Sequence, residues 1–593
     1  MMLQALIAYA ERERLGDADF EPVGVRWQIP LTRDGRLAGG PIALSDEPTA
    51  KKPPPKTLSR PFTSPNELTQ TGEKARSYFL CDTLERSTLF LDAKTPEKHE
   101  NRLAQHRYFR GLLAVAATAV PTEASRVEAV LALLDDHASL ASLHAALTAV
   151  KAKPSDNATF AVDGVDLLES AGLREFWRAR RRQSVGEAAA ARDLRVCLAT
   201  GERAPTLDTT EKIKGVPGGL AQGTNLISFD KESFCSFGLT QAQNAPLSAN
   251  SELKLRSALN GLIASSREHR LVFNDVVYLH WTREPEQNDL MALLTSADPD
   301  GVAHLLQAVQ SGDAPAALDT NAYYCLGLSG NGARVVVRDW LESTVTQVRH
   351  AVAQWFDDLT LVDQSDGITL RRAHKFGALL YALVRTDLDE LPPPLPAQLL
   401  YAILRGPNLP LPQVALAAAL RRQQLDRRTS DDPRDPKLNP ARLSLIKAIL
   451  NRSPNRPTIM TASLDTVSND PAYLCGRLFA VFDRLQYLAL GTLNAGVVER
   501  YYASASVTPS LVMGRLFRNA QFHLAKAGGG VAENVRKDFE TLASSLGSSF
   551  PATLDLEAQG RFALGYYHQK ADYRRLATER KDAREAAAEP ATT

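Results

Sequence analysis

Cysteine is scarce in this chain of 593 residues. The five thiols, Cys81, Cys197, Cys235, Cys325 and Cys475, lie far apart, and none belongs to a CxxC pair. That excludes a zinc ribbon or a disulfide framework and leaves free thiols in a reducing cytoplasm as the expectation. An excess of charge of one sign is also lacking. Against 69 Lys and Arg stand 68 Asp and Glu, for a net charge of +1, so any surface for nucleic acid has to be local. No apolar run reaches the length of a membrane span, which argues against a membrane partner. The first residues, MMLQALIAYAERERLG, pattern as an amphipathic helix and lack the basic start and apolar core of a signal peptide. Familiar catalytic signatures are missing as well: there is no GxSxG, no HExxH and no glycine loop followed by GK[ST]. Asp357–Asp358 and Asp431–Asp432 are acidic pairs, but a two-metal nuclease needs several converging carboxylates. His99 and His106 share a helical face with no third ligand near them. The expectation is a protein with no catalytic residues, metal or cofactor. The rival is a nucleic-acid-processing enzyme, a metal-dependent nuclease whose active site is not visible in the sequence.

What the chain does contain is strongest near its C-terminal end. Asp470 followed by Pro471 is an N-cap and first-turn signal, and Leu474, Leu478, Phe482, Leu485 and Ala489 recur at helical spacing. Thr508–Pro509 repeats the signal, Gly528–Gly530 is a stop, and two more helices follow around Val535–Leu546 and Leu556–Lys570. Short connections predict a helical bundle. Upstream, strand and helix patterns mix. Val23–Ile29, Ser77–Leu80, Phe160–Val165, Leu226–Phe229 and Arg270–Trp281 read as strands, and Tyr323–Leu328 with Ala333–Trp340 as a hairpin across Ser329–Gly332. Alternation along its second strand puts Arg334, Val336 and Arg338 on one face and Val335, Val337 and Asp339 on the other. The expected fold class is therefore α+β: a large mixed N-terminal region with antiparallel strands and helices, residues 1–430, then a helical bundle, residues 438–575, and a charged disordered tail, residues 576–593. The polar, charge-mixed stretch Arg421–Lys437 is the expected boundary.

Two stretches offer chemistry for nucleic acid. Asp46–Asn66, DEPTAKKPPPKTLSRPFTSPN, is basic and rich in proline; it is either a solvated connector or a loop touching phosphates through Lys51, Lys52, Lys56 and Arg60. Gly215–Ile263 opens with Gly215, Gly218, Gly219 and Gly223, whose backbone could approach a phosphate. A loop follows, Ser236–Pro246, whose Gln and Asn side chains suit an adenine edge. An ordinary loop on a sheet explains both equally.

Eight segments, in order, resemble the large subunit of the type I-C CRISPR surveillance complex (Cascade). They are LQALIAYAER, GVRWQIPLTRDG, ISFDKESFCSFGLTQAQNAP, LGLSGNGARVVVRDW, AYLCGRLFAVFDRLQ, RYYASASVTPSLVMGRL, HLAK and FPATLDLEAQGRFALGYYHQ. The resemblance implies a non-catalytic scaffold that binds the crRNA assembly and reads a short motif (the PAM) in target double-stranded DNA. It further implies help in forming the R-loop and recruitment of a separate helicase-nuclease, while base pairing reads the rest of the target. The partners it implies are crRNA, the Cascade backbone subunits, the crRNA-processing subunit and small subunits, the last from an internal start near Met460. It makes Lys51, Lys52, Lys56, Arg60, Asn66, Asn225, Gln241, Gln243 and Asn244 the expected DNA and PAM contacts. Arg334 and Arg338 are expected at RNA or phosphate. The bundle's Arg477, Arg484, Arg515, Arg518, Lys526, Arg536 and Lys537 are expected along a strand.

Overall fold

The computed structural model describes residues 2–16, 20–44, 60–65, 77–91, 99–190, 194–265, 269–273, 275–286, 289–311, 320–425, 439–454, 456–491, 493, 495–527, 529–547 and 549–588. They form two compact units, Met1–Ile213 with Asn225–Gly261, and Lys214–Thr224 with Leu262–Thr593. The mixed α+β class holds: small sheets occupy the N-terminal half and helices the C-terminal region. No helix among the described residues is long and apolar enough to cross a membrane.

The first unit runs α1 (Met2–Arg12), β1 (Phe20–Val25), β2 (Trp27–Leu31), β3 (Ile42–Ala43), β4 (Arg60–Pro65), β5 (Asp82–Thr83), α2 (Leu84–Ser87), α3 (His99–Ala119), α4 (Ala124–Asp135), α5 (His137–Ala149), β6 (Asn157–Val162), β7 (Val165–Asp166), α6 (Ala171–Ala190), β8 (Leu194–Val196), β9 (Arg203–Pro205) and α7 (Ala249–Ala264). Its main sheet has the order β3-β2-β6-β5, with β7 folded back on β6. Most of this pairing is antiparallel, but β2 and β6 are parallel, with Trp27 opposite Ala158 and Leu31 opposite Val162. A parallel pair needs a long crossover. Here the crossover carries α3, α4 and α5, and Phe109, Leu113 and Val130 bury against Ile29, Phe160 and Trp177. A turn forms at Arg33–Gly35, with Gly35 at φ +82°; a Cβ there would sit 2.7 Å from that of Ala132, so the turn lies directly on α4. Ser77–Leu80 is not the expected strand. The Asp82 carboxylate accepts from Ser77 Oγ at 2.6 Å and from the Tyr78 N–H at 2.9 Å, which curls the segment into a turn.

The second unit runs β10 (Arg270–Phe273), β11 (Val276–Thr282), α8 (Leu290–Ser296), α9 (Pro299–Ser311), β12 (Ala322–Asn331), β13 (Arg334–Thr344), α10 (Val345–Asp358), β14 (Leu361–Val362), β15 (Leu370–Arg371), α11 (Phe376–Tyr381), α12 (Leu395–Leu404), α13 (Gln413–Leu425), α14 (Pro440–Asn451), α15 (Pro471–Leu490), α16 (Val497–Val507), α17 (Pro509–Lys526), α18 (Gly530–Leu546) and α19 (Leu556–Ala588). Strands β10 to β13 form an antiparallel meander, in which the expected hairpin is β12–β13. Its register shifts between Gly327 and Leu328, which leaves Arg338 as an extra residue on β13. Asp339 therefore pairs with Gly327 and falls on the face of Val336 and Ser329, not with Val335 and Val337 as plain alternation predicts.

One continuous apolar core takes in Tyr278, Trp355, Leu400, Ile446, Phe479 and Ala571. The C-terminal helices thus share their core with the meander and with α10 to α14. The expected boundary stretch lies outside the described residues from 426 to 438, and the helices flanking it, α13 and α14, both contribute to this core. The Asp470 N-cap forms as the sequence predicts, accepting from the Tyr473 N–H, and Asn439 likewise accepts from the Arg442 N–H, whereas Thr508 precedes α17 without a side-chain cap bond. Helix α15 departs from its amphipathic pattern. Every residue from Ala472 to Phe482 is buried, so its first half is enclosed on all sides. Two glycines permit this. A Cβ at Gly476 would lie 2.0 Å from the Phe562 carbonyl oxygen, and one at Gly565 2.2 Å from that of Tyr473, so α15 and α19 touch backbone to backbone. Helix α16 is an addition to the four helices expected from the sequence. Residues 576–588, expected as a disordered tail, instead continue α19, where Arg575–Glu579 and Lys581–Glu585 are i,i+4 ion pairs.

Candidate nucleic-acid interface

The connection from β9 to α7 carries, within the first unit, a surface loop held by its own hydrogen bonds. Leu226–Phe229 forms bends instead of the expected strand. Beyond it, two 3-10 turns, Glu232–Phe234 and Gln241–Asn244, bracket an exposed tip. Asn244 organises the tip. Its Oδ1 accepts from the Ser236 N–H at 2.9 Å, and its Nδ2 donates to the carbonyls of Leu239 at 3.0 Å and Gln241 at 3.1 Å. The Gln243 Oε1 accepts from the Thr240 N–H at 3.2 Å, closing a capping box. The Ala242 N–H reaches the Asp208 carbonyl at 3.0 Å and anchors the loop to the chain after β9.

This bonding drives the backbone at Phe237, Gly238 and Gln241 into the left-handed region, at φ +55°, +69° and +46°. For two residues with side chains that is a strained conformation. Phe237 is 99% exposed, so nothing in the fold repays the strain by burying its ring. The expected trio of readers therefore separates. Asn244 is engaged at both ends of its amide, Gln243 is engaged at its oxygen, and Gln241 stands exposed. Phe237 is not among the residues expected from the sequence. Its one signal there is an aromatic residue set between Ser236 and Gly238 in an otherwise polar loop. Asn225 is half-buried, with its Oδ1 enclosed and unbonded.

The glycines ahead of this loop do other work. Within the second unit, the Gly330 N–H donates to the Pro217 carbonyl at 2.7 Å, and a Cβ on Gly330 would lie 2.2 Å from the Gly219 nitrogen. Gly218 and Gly219 thus dock the segment onto the β12–β13 turn, where a side chain could not fit.

The basic candidates also divide. Lys51, Lys52, Lys56 and Asn66 lie outside the described residues; Arg60 opens β4, opposite Val25 of β1. Arg338 donates from Nε to Ser329 Oγ at 2.7 Å on the outside of the bulge, and Arg334 lies at the hairpin end, opposite Asn331. In the bundle, Arg477 is buried and donates to Gln569 Oε1 at 3.0 Å and the Asp465 carbonyl at 3.1 Å, which makes it a packing residue closed to a strand. Arg484 is half-buried over the Tyr487 ring. On α18, Arg536 lies 3.7 Å from Glu533 and Lys537 is exposed. Helix α17 is different. It contains no acidic residue, and Arg515 and Arg518 have no ion-pair partner among the described residues. Helical spacing puts both arginines on one stripe with Leu511 and Phe522, which are 79% and 77% exposed. Lys526 is exposed at the end of the same helix.

Among the described residues no three His, Cys, Asp or Glu side chains are grouped to hold a metal ion. Asp358 of the first acidic pair bonds to Arg452 at 2.7 Å, while Asp431–Asp432 lies outside the described residues. His106 is buried with its Nδ1 at 2.9 Å from the Arg86 carbonyl, a structural contact.

The arrangement offers an exposed amide and aromatic pair on a braced loop, and a separate helix with a cationic, partly apolar outer face. A family model described as CRISPR-associated protein (Cas_Csd1) matches residues 6–574. No curated protein matches the chain.

Proposed function

The chain belongs to this family of CRISPR-associated proteins, and from that premise we propose that it is the non-catalytic large subunit of a type I-C surveillance complex in the cytoplasm. In that role it binds crRNA together with the backbone and RNA-processing subunits. It reads the PAM in duplex DNA, aids R-loop formation and receives a separate helicase-nuclease. The observation that carries the reading is the braced loop: Asn244 and Gln243 hold Gln241 and Phe237 outward in strained conformations that serve no packing purpose. An amide suits a base edge and an aromatic ring suits stacking on an opened step. The basic stretch Lys51–Arg60 and the outer face of α17 supply the sequence-independent attraction such a reader needs.

The bundle carries a second part of the proposal. Met460 is buried, and its backbone N–H and carbonyl both bond to Asn451 of α14, at 2.7 and 2.9 Å. A product started at Met460 keeps α15 to α19 and lacks α14, whose Ile446 and Leu450 meet Gly560. Such a small subunit therefore has to cover that face in another way, which suits a subunit that works only within an assembly.

The test uses the reconstituted complex and a set of target duplexes varied at the adjacent motif. Gln241→Ala is expected to change the order of preference among motifs, by about 1–3 kcal/mol at the position it reads. Uniform weakening across all motifs would reassign Gln241 to the backbone, and unchanged binding would remove the loop from the reading. The nuclease rival predicts cleavage of DNA by the purified chain with a divalent metal, abolished by a single carboxylate substitution. That result would overturn the non-catalytic role.

A further inference from the structure

The last turns of α19 close a basic groove that extends beyond the family match. The match ends at residue 574, and one wall of the groove is Leu576, Ala577, Arg580, Lys581 and Arg584. The other wall is Arg484 of α15 with Val531, Asn534 and Val535 of α18. All belong to the second unit, and the groove has a volume of about 460 Å³. Its only acidic lining residue, Glu585, is paired with Lys581 at 3.6 Å. Arg484, Arg580 and Arg584 have no ion-pair partner among the described residues, and the Arg484 Nε is enclosed and unbonded. Tyr573 lines the back of the groove, beside the Asp538 carboxylate. Helix α18 begins at this groove with Gly529 as N-cap and no side chain capping it, so its partial positive end adds to the cationic field. The floor between the cations is apolar: Val531, Val535, Leu576 and Ala577.

We propose that this groove binds the backbone of a single-stranded nucleic acid. Guanidinium groups recognise phosphate oxygens in pairs, and an apolar floor accepts a sugar or the flat face of a base. A concave site of this size, within the range of about 300–1,000 Å³ typical of small-ligand clefts, takes one or two nucleotides and not a duplex. An acidic peptide offers charge but no flat heterocycle for the floor. The groove also explains why the charged end of the chain is helical: α19 sets Arg580 and Arg584 four residues apart, on one side, facing Arg484. The proposal rests on the reading of the chain as a nucleic-acid-binding protein, and it adds a site that the loop and the α17 stripe do not include.

The experiment measures binding of the full-length chain to a short fluorescent single-stranded oligonucleotide by anisotropy across a salt series. It compares wild type with R580A/R584A, R580K/R584K and R574A. Arg574 is exposed on α19 and does not line the groove, so it controls for a general loss of charge. Each phosphate left without its cation flattens the slope of log K against log salt by about 0.7 for a single strand. R580A/R584A is expected to flatten it by about 1.4 and to weaken binding roughly tenfold at low salt. R580K/R584K should restore part of the affinity, and R574A should leave it unchanged. An unaltered slope in R580A/R584A, an equal loss in R574A, or an acidic peptide competing as well as the oligonucleotide would each overturn the proposal. Duplex binding keeps the two readings apart. Motif-dependent duplex binding with no effect of R580A/R584A on single strands removes the groove and leaves the proposed function standing. Groove-dependent strand binding without any motif preference does the reverse.

Discussion

The loop Glu232–Asn244 of the first unit and the α15–α19 contact of the second are held in opposite ways. The loop buries almost nothing and is fixed by polar side chains bonded to its own backbone, chiefly Asn244. The helix pair is fixed by apolar burial and by two glycines that let the backbones meet. The difference decides which polar groups remain for a ligand. In the loop the amides do the holding, so Asn244 is lost to recognition and Gln241 and Phe237 are what it presents. In the bundle the apolar residues do the holding, so Arg515 and Arg518 stay free outside, while Arg477, placed inside, is bonded to Gln569 and Asp465.

The comparison breaks most visibly at Gly476. Any Cβ there overlaps the Phe562 carbonyl, and neither helix backbone can yield without disturbing the core of the second unit. Gly476→Val is expected to cost about 3 kcal/mol or more and to lower the melting temperature of that unit by roughly 5–10 °C, read by circular dichroism. Motif preference, which we propose rests on the first-unit loop, should survive at temperatures where the variant is folded. A variant that melts like wild type would show that the helices are not in backbone contact.

Acid probes the same contrast with a somewhat smaller effect. Burial, with Lys447 and Arg477 nearby, holds His568 at about 3, and burial, with His269 nearby, holds His280 at about 3. In the unfolded chain both titrate near 6.5. Below that value the unfolded state binds protons that the native state refuses. The second unit therefore has its full stability above about pH 6.5 and loses it as pH falls. The loss is about 1.4 kcal/mol per pH unit for each histidine. Between pH 7.5 and 5.5 the two together should remove about 2–3 kcal/mol, measurable by urea titration. The loop Glu232–Asn244 contains no histidine, so the motif preference proposed for it should be flat over the same interval. A second unit equally stable at both pH values would mean that these two rings are not buried neutral.

The same contrast explains what is legible in the sequence. Helix starts are legible because they are local: Asn439–Pro440 and Asp470–Pro471 carry their cap and first turn within three residues. The enclosure of α15 is not legible, because the residues that cover its polar-looking side, such as Phe562 and Tyr566, come from the distant α19. The parallel β2–β6 pair escapes for a similar reason, since its partner lies beyond four helices. The bulge at Arg338 leaves no mark in the run Arg334–Arg338, which reads RVVVR. At the candidate site the residue types single out the loop Ser236–Pro246 but not the side chains it leaves exposed. Which amide is free depends on hydrogen bonds inside that loop, and Asn244 and Gln241 look alike until the turn closes.

Asn244→Ala sharpens this point. It removes three hydrogen bonds from an exposed loop, a local loss of about 1–2 kcal/mol, and should abolish motif preference without moving either unit's melting temperature. Loss of preference on Gln241→Ala but not on Asn244→Ala would mean the loop needs no organiser.

The smallest change is the most telling. Phe237 holds φ +55° with its ring in solvent, a conformation that glycine adopts without strain. If the residue had no role outside the fold, Phe237→Gly should be neutral or should tighten the loop by up to about 1 kcal/mol, seen as slower amide exchange in Ser236–Asn244. Duplex opening and motif-dependent binding should then be untouched. If the ring is held out to meet a base step, the same substitution should still relieve the strain yet weaken motif-dependent binding, by about 1–3 kcal/mol for the stacking it removes. A loop that becomes more stable as the complex binds less well is the signature of strain kept for a partner. Stability and binding that fall together would make Phe237 a loop-structure residue and return the reading of the motif to Gln241 alone.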